Sequence, residues 1–192
     1  MHLPPIAGSV VWYAIGRFYE SQDGRLRDLG YFAHLGGIEP LFAGPPGEST
    51  AFFTFRAEPF TSQTLQNGDL SVSLEARGGF TLYLNREPRG DFSKPDTFSQ
   101  GEPIATFERL SLVVGTTVGP VVNNLFSAAL RSSADFTFGG RTWNLANLIP
   151  QGITQMGTAS TTEIPPPSGY TKVLPFVGSA MALGREPRQA GR

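Results

Sequence analysis

Short apolar runs separated by turn-forming residues dominate this sequence and restrict the folds that it can adopt. The 23 Gly and 16 Pro are scattered between these runs and are not concentrated in one tract. Because Gly and Pro favour turns, this spacing predicts many short elements. The 15 Phe favour strands, since large aromatic side chains pack well on a pleated, half-buried surface.

The length of the chain limits the number of domains. A chain of 192 residues is long enough for one well-buried core and short for two. We expect a single β domain over residues 1–184 and a flexible tail over residues 185–192. About eight strands with short connections predict an antiparallel β-barrel, and a two-sheet β-sandwich is the second choice. Closure of a barrel would remove the exposed edges of Phe-rich strands.

Alternating residue types predict the individual strands. Residues 8–20 are largely apolar on both faces, so this strand is covered on both sides or lines a cavity. Asp23-Gly24 is a strong hairpin signal and predicts that residues 26–38 return as the partner strand. Further strands are expected around residues 52–60, 70–76, 80–84, 104–114, 135–145 and 170–183.

Local signals also predict how the middle of the chain is connected. We expect residues 70–76 and 80–84 to form a hairpin through a turn at Gly78-Gly79. Apolar residues at helical i, i+4 spacing over residues 121–130 predict one short helix. Residues 86–102 show no periodicity and predict one long exposed loop.

Charge and cysteine content exclude several classes of function and site. The formal net charge is −1 and the only lysines are Lys94 and Lys172, so we expect no nucleic-acid partner, which would need clustered cations. The chain has no Cys, which excludes disulfides, a thiolate nucleophile and Cys-ligated zinc. The first residues lack the basic and long apolar regions of a signal peptide. We therefore expect no membrane span and a cytoplasmic location, with a processed secreted chain as the alternative.

Motifs for metal, nucleotide and nucleophilic chemistry are missing from the sequence. The only imidazoles are His2 and His34, so we expect no metal site. There is no G-x-S-x-G elbow and no G-x-G-x-x-G fingerprint. Residues 44–50 resemble a phosphate loop only faintly, because they lack its Lys and contain Pro at positions that would need backbone donors. We expect no cofactor.

Three side chains are candidates for acid–base chemistry: Glu58, His34 and Glu108. His34 is the only imidazole within the body of the chain, and imidazole titrates near neutrality; the alternative is an ordinary strand histidine. Glu58 shares a strand face with Arg56, and the aromatic residues on that face would place both charges inside a barrel. There, desolvation would raise the pKa of the carboxyl group; the alternative is a solvent-facing ion pair.

Aromatic residues in the first hairpin and in the 52–60 strand are candidates for the wall of an apolar pocket. Ordinary core packing is the alternative, since pockets and cores use the same residue types. The candidate ligand-binding residues are Trp12, Tyr13, Phe18, Tyr31, Phe53, Phe55 and Arg56.

These patterns lead to three hypotheses of function. The first is a β-barrel that binds a small, largely apolar molecule in its interior or mouth. The second is a cofactor-independent isomerase or cyclase that acts on such a molecule in the same barrel. The third is a structural module that forms a homo-oligomer through its aromatic strand faces.

Overall fold

The computed structural model describes residues 8–68, 70–75, 78–110 and 113–184, so the predicted tail at 185–192 lies outside the described residues. Within these ranges the chain forms thirteen strands and one short α-helix, with 3₁₀ turns at Glu48–Thr50 and Pro95–Ser99. The strands are β1 (Val10–Ser21), β2 (Leu26–Leu35), β3 (Phe53–Ala57), β4 (Ser62–Asn67), β5 (Leu70–Glu75), β6 (Gly79–Leu84), β7 (Glu102–Arg109), β8 (Val113–Val118), β9 (Val121–Ser133), β10 (Phe136–Phe138), β11 (Arg141–Trp143), β12 (Gly152–Ser160) and β13 (Tyr170–Ala182); the helix is α1 (Leu145–Leu148).

Eight antiparallel strands form a closed barrel, which confirms the predicted fold class. Their order is β12-β13-β1-β2-β3-β6-β7-β9, and pairing between β9 and β12 closes the ring. The C-terminal part of β9 pairs with β7, whereas its N-terminal part pairs with β8. Strands β8, β5 and β4 continue outward from the barrel as an extension of the same sheet.

The helix predicted over residues 121–130 is wrong, because this segment is strand β9. Val122, Phe126 and Leu130 contribute to the barrel core, with Phe126 buried and the other two partly buried. A spacing of four residues is one helical turn but also two periods of a strand. The apolar pattern therefore fits both structures, and pairing with β12 and β7 selects the strand.

The hairpin predicted between residues 70–76 and 80–84 is also wrong. Strand β5 pairs with β4 and β8, whereas β6 pairs with β3 and β7. The inward side chains Phe80, Leu82 and Leu84 are buried in the barrel core, so β6 belongs to the ring. In the sequence, the hairpin of β4 and β5 lies between β3 and β6, although these two strands pair directly in the barrel. The turn of this hairpin contains Gly68 at a φ of 65°.

Residues 86–102 cover the barrel wall and are not the exposed loop predicted from their composition. Phe92 and Phe98 are buried, and the Phe98 carbonyl accepts a hydrogen bond from Thr54 Oγ1 at 2.7 Å. The Phe92 carbonyl accepts one from the Tyr19 hydroxyl, also at 2.7 Å. A second hydrophobic cluster therefore forms outside the barrel, which explains why β1 is apolar on both faces. It consists of Tyr19, Leu29, Tyr31, Ala51, Phe92, Phe98 and Val173.

The barrel is filled mainly by aromatic side chains, and one end is closed by the segment that contains β10, β11 and α1. Phe136 and Leu145 from this segment join the barrel core next to Phe53, which lies at the start of β3. At mid-barrel, a Cβ on Gly30 would lie 2.0 Å from the Ile15 carbonyl oxygen, so β1 and β2 approach too closely for a side chain. The opposite end of the barrel, called the mouth below, lies near Phe18 and Phe60.

The Tyr19 hydroxyl ties the 86–102 segment to the barrel wall and should make stability sensitive to alkaline pH. Burial raises the pKa of Tyr19 to about 12, so the folded state keeps the phenol neutral after the unfolded state has ionised near pH 10. The contribution of the neutral Tyr19 phenol to the free energy of unfolding is complete below about pH 10. It is lost as the pH rises towards 12, by about 2–3 kcal/mol in total.

We predict that Tyr19→Phe lowers the free energy of unfolding by about 1 kcal/mol at pH 8, because one hydrogen bond is lost. The variant should then lose less stability than the wild type between pH 10 and 12. Urea unfolding across this range measures both effects. Tyr13→Phe, at a half-exposed ring, is the control. Parallel pH curves for wild type and Tyr19→Phe would contradict the prediction.

Candidate functional site

A small cavity inside the barrel brings aromatic rings together with two polar side chains. Its free space is about 10 Å³, measured as the space that the centre of a water molecule can occupy, which is room for one water. Asp28 on β2 and Gln155 on β12 supply the polar groups, and the rings come from five different strands of the ring. The lining residues are Trp12, Ala14, Asp28, Phe32, Phe55, Phe80, Phe126 and Gln155.

Asp28 forms a buried ion pair with Arg109 beside this cavity. Arg109 Nη2 donates to Asp28 Oδ1 at 3.2 Å, and the two side chains are only 2% and 11% exposed. The guanidinium also lies over the rings of Phe60 and Phe126, at 4.8 and 5.1 Å from their centroids. Its Nε and Nη1 atoms are buried without a hydrogen-bond partner. One carboxylate and two aromatic faces therefore compensate a cation that has lost its hydration.

Gln155 is held by the indole of Trp12. Trp12 Nε1 donates to Gln155 Oε1 at 3.2 Å on the inner face of the barrel, across the intervening strand β13, and both residues are buried. The indole edge therefore fixes the carbonyl of the amide group at the cavity. Concave apolar surfaces with a few oriented polar groups are typical of small-molecule sites.

Strand alternation places the polar groups of this site inside the barrel. Asp28 precedes Gly30 and Phe32 on the inward face of β2, and Arg109 follows Phe107 on the inward face of β7. Sequence reasoning missed Asp28, Arg109 and Gln155. Each of these residues lies two positions from an apolar or Gly residue, which places them on the same face of their strand. Alternation alone does not show which face of a strand points into the barrel.

The candidate ligand-binding residues divide between the two faces of the barrel wall. Trp12 and Phe55 line the cavity, Phe53 lies at the closed end, and Phe18 packs inside against Phe176 with ring centroids 4.6 Å apart. Tyr13, Tyr31 and Arg56 lie outside: Tyr13 is exposed, Tyr31 lies under the 86–102 segment, and Arg56 binds Ser99 and Asp96.

The acid–base candidates lie apart from one another and away from the cavity lining. His34 is on the outer face with its ring 5.9 Å from that of Tyr13. Glu58 is exposed and accepts a hydrogen bond from the Gly79 backbone N–H, and Glu108 pairs with Arg131 on the outside. The expectation that the Arg56 and Glu58 face lies inside the barrel is wrong, because Phe53, Phe55 and Ala57 occupy the inward face of β3.

Neither a cluster of metal-binding side chains nor a membrane-spanning helix is present in the part of the chain that the structure describes. No group of three or more His, Asp or Glu side chains is placed to hold a metal ion there. Among the same residues, no helix is long and apolar enough to cross a membrane.

Comparison with protein-family models, with curated proteins and with solved structures finds no match to this chain. Functional inference therefore depends on the chemistry of the site itself.

The buried ion pair gives a prediction about stability. Arg109→Met leaves the Asp28 carboxylate inside the barrel without its counter-ion, and we expect the free energy of unfolding to fall by about 3 kcal/mol. Adding Asp28→Asn in the same chain removes the buried charge and should recover part of this loss. Urea unfolding of the wild type, both single variants and the double variant measures the coupling.

Arg131→Met is the matched control, because the Arg131–Glu108 pair is more than half exposed and should contribute less than about 1 kcal/mol. Similar losses for Arg109→Met and Arg131→Met would contradict a stabilising buried pair.

Proposed function

We propose that this barrel binds a small, largely apolar molecule in its interior. The supporting observation is the aromatic cavity that contains the Asp28 carboxylate and the Gln155 amide. Closed barrels of about eight strands have interiors of the size that either side chains or one small ligand can fill. The rings supply apolar contact area, and the two polar groups would orient the ligand.

Binding of anything larger than water requires side chains to move, because the free space is that of one water molecule. The barrel backbone is fixed by pairing on both sides of every strand, so the movement falls on aromatic rotamers. Phe18 is only partly buried, and Phe126 lies over the Arg109 guanidinium near the mouth. Rotation of these rings would open a path from the mouth to Asp28.

Self-association through aromatic strand faces has less support. None of the 15 Phe side chains is exposed, since they fill the barrel or lie under its covering segments. The exposed apolar residues on the outer wall include Tyr13, Leu125, Met156 and Val177, of which only one is aromatic. The aromatic faces are committed to the interior of this chain, which favours a function inside the barrel.

Proton transfer inside the barrel is the second candidate function, as an isomerase or cyclase that needs no cofactor. It is favoured by one observation: Asp28 carries a carboxylate into an aromatic cavity and has a fixed counter-ion in Arg109. A carboxylate held in such a site can take a proton from one carbon of a bound molecule and return it to another. In this proposal Asp28 is the acid–base residue, in place of Glu58, His34 and Glu108, which were the candidates from the sequence.

The binding proposal predicts that filling the cavity abolishes ligand uptake. Ala14 lines the cavity, and Ala14→Leu would occupy its free space. Ala33 is exposed on β2, so Ala33→Leu adds the same atoms outside the barrel and is the control. With fluorobenzene as the probe, ¹⁹F line broadening should occur with the wild type and Ala33→Leu and disappear with Ala14→Leu.

Native mass spectrometry followed by denaturing extraction would identify any molecule that copurifies with the same three proteins. Ala14→Val is a smaller replacement for use if Ala14→Leu does not fold. Equal broadening with all three proteins, or none with the wild type, would contradict the proposed interior site.

The second candidate predicts a chemical difference between molecules bound to the wild type and to Asp28→Asn. The Asn side chain keeps a hydrogen-bond acceptor for Arg109 but does not accept a proton as a carboxylate does. If Asp28 catalyses isomerisation, the variant should release a compound of the same mass but different chromatographic retention. Release of the same compound from both proteins supports binding without turnover.

A further inference from the structure

An open cleft on the outside of the barrel is lined by cationic, polar and apolar side chains. It has a volume of about 480 Å³ and shares no lining residue with the interior cavity. The turn between β1 and β2, the 93–96 segment and the 168–170 turn converge there. The volume lies within the range of about 300–1,000 Å³ that is usual for small-molecule sites.

Two of the three cations that line the cleft are neutralised by carboxylates of this chain. Arg25 binds Asp23 at 2.7 Å, and Lys94 lies 3.5 Å from Asp91. The acidic residue that lines the cleft, Asp96, binds Arg56 at 2.9 Å. Asp23, Asp91 and Asp96 therefore each form an ion pair with a cation other than Arg27.

Arg27 is the cation in this cleft that lacks a partner. Within the described ranges, no ion pair or hydrogen bond joins its guanidinium to another residue, and its Nε is enclosed by protein. Partial burial lowers the pKa of Arg27, repulsion from Arg56 lowers it further, and attraction from Tyr170 and Asp96 opposes this shift only in part. Because a guanidinium stays protonated at neutral pH and Asp96 is already paired with Arg56, the cleft keeps a positive charge that has no ion pair of its own.

Other groups in the cleft complement an anionic ligand. Ser168 and Tyr170 line it, and neither hydroxyl makes a hydrogen bond to the part of the chain that the structure describes. Pro59 and Pro95 form part of its apolar surface. We propose that this cleft binds a small ligand through an oxyanion, a phosphate or a carboxylate, held by Arg27 and attached to an apolar body.

Recognition would follow the usual geometry of guanidinium groups. The Nη atoms of Arg27 present N–H donors in a planar fork that matches two oxygens of a phosphate or carboxylate. Lys94 adds a second, more mobile charge, since its ammonium group is 76% exposed. This site is independent of the proposed interior site, so failure of one leaves the other standing.

Titration with phenyl phosphate, benzoate and benzyl alcohol tests the proposal, because the three probes share a ring and differ in their charged group. We expect the wild type to bind at least one of the two anions and to bind benzyl alcohol much more weakly. Arg27→Gln should weaken binding of the anion by about 10–100-fold, as expected for the loss of charge-assisted hydrogen bonds. Arg27→Lys should fall between the two, because it keeps the charge and loses the fork.

Arg131→Gln is the control, since it removes a cation from the outer face of β9 and should leave binding unchanged. Thermal midpoints of all variants verify that they are folded, and Ser168→Ala gives a second, milder perturbation of the cleft. Preference for phenyl phosphate assigns the site to phosphate esters, and preference for benzoate assigns it to carboxylates. Equal binding of all three probes, no binding to the wild type, or unchanged affinity in Arg27→Gln would overturn the proposal.

Discussion

Pairing between β9 and β12 is the constraint on which the rest of this structure depends. It joins residues 121–129 to residues 152–160 and converts an open sheet into a ring. The pairing begins at Gly152, which has a φ of 126°. A Cβ at this position would lie 1.9 Å from the Ala128 carbonyl oxygen, so only Gly fits there. Without this seam, the Phe-rich inner faces of eight strands would be bounded by two unpaired edges.

The need to close the ring also explains why only part of the fold can be predicted from the sequence. Alternation and turn residues are local properties, so the β1–β2 hairpin, the turn between β10 and β11, and the final strand all follow from them. The partners of β5 and β6 do not, because they are set by which strand faces fit the interior. The spacing of four in β9 is ambiguous by itself, and only long-range pairing decides it.

The candidate site illustrates a different limit of sequence reasoning. Trp12 and Tyr13 are neighbours in an apolar strand, yet one lines the cavity and the other is half exposed. Since the 86–102 segment covers the outside of β1, an apolar outer face looks the same in sequence as an inner face. Asp28 was missed for the same reason: a charged residue is expected outside unless a counter-ion from another strand, here Arg109, is known.

Arg109 and Arg27 each have at least one buried guanidinium nitrogen atom without a hydrogen-bond partner, and each lies at one of the two proposed sites. Apolar side chains of similar size could replace the Asp28–Arg109 pair with little cost or even a gain in stability, because two charges lose their hydration. Stability alone therefore does not explain a carboxylate among five aromatic rings, whereas the proposed interior binding would use it to orient the ligand. Arg27 differs from Arg109 because it forms no ion pair within the described residues and lines an open surface cleft. The two proposals therefore assign different ligand chemistry to the two sites, an apolar molecule to the first and an anion to the second, and the barrel wall separates them.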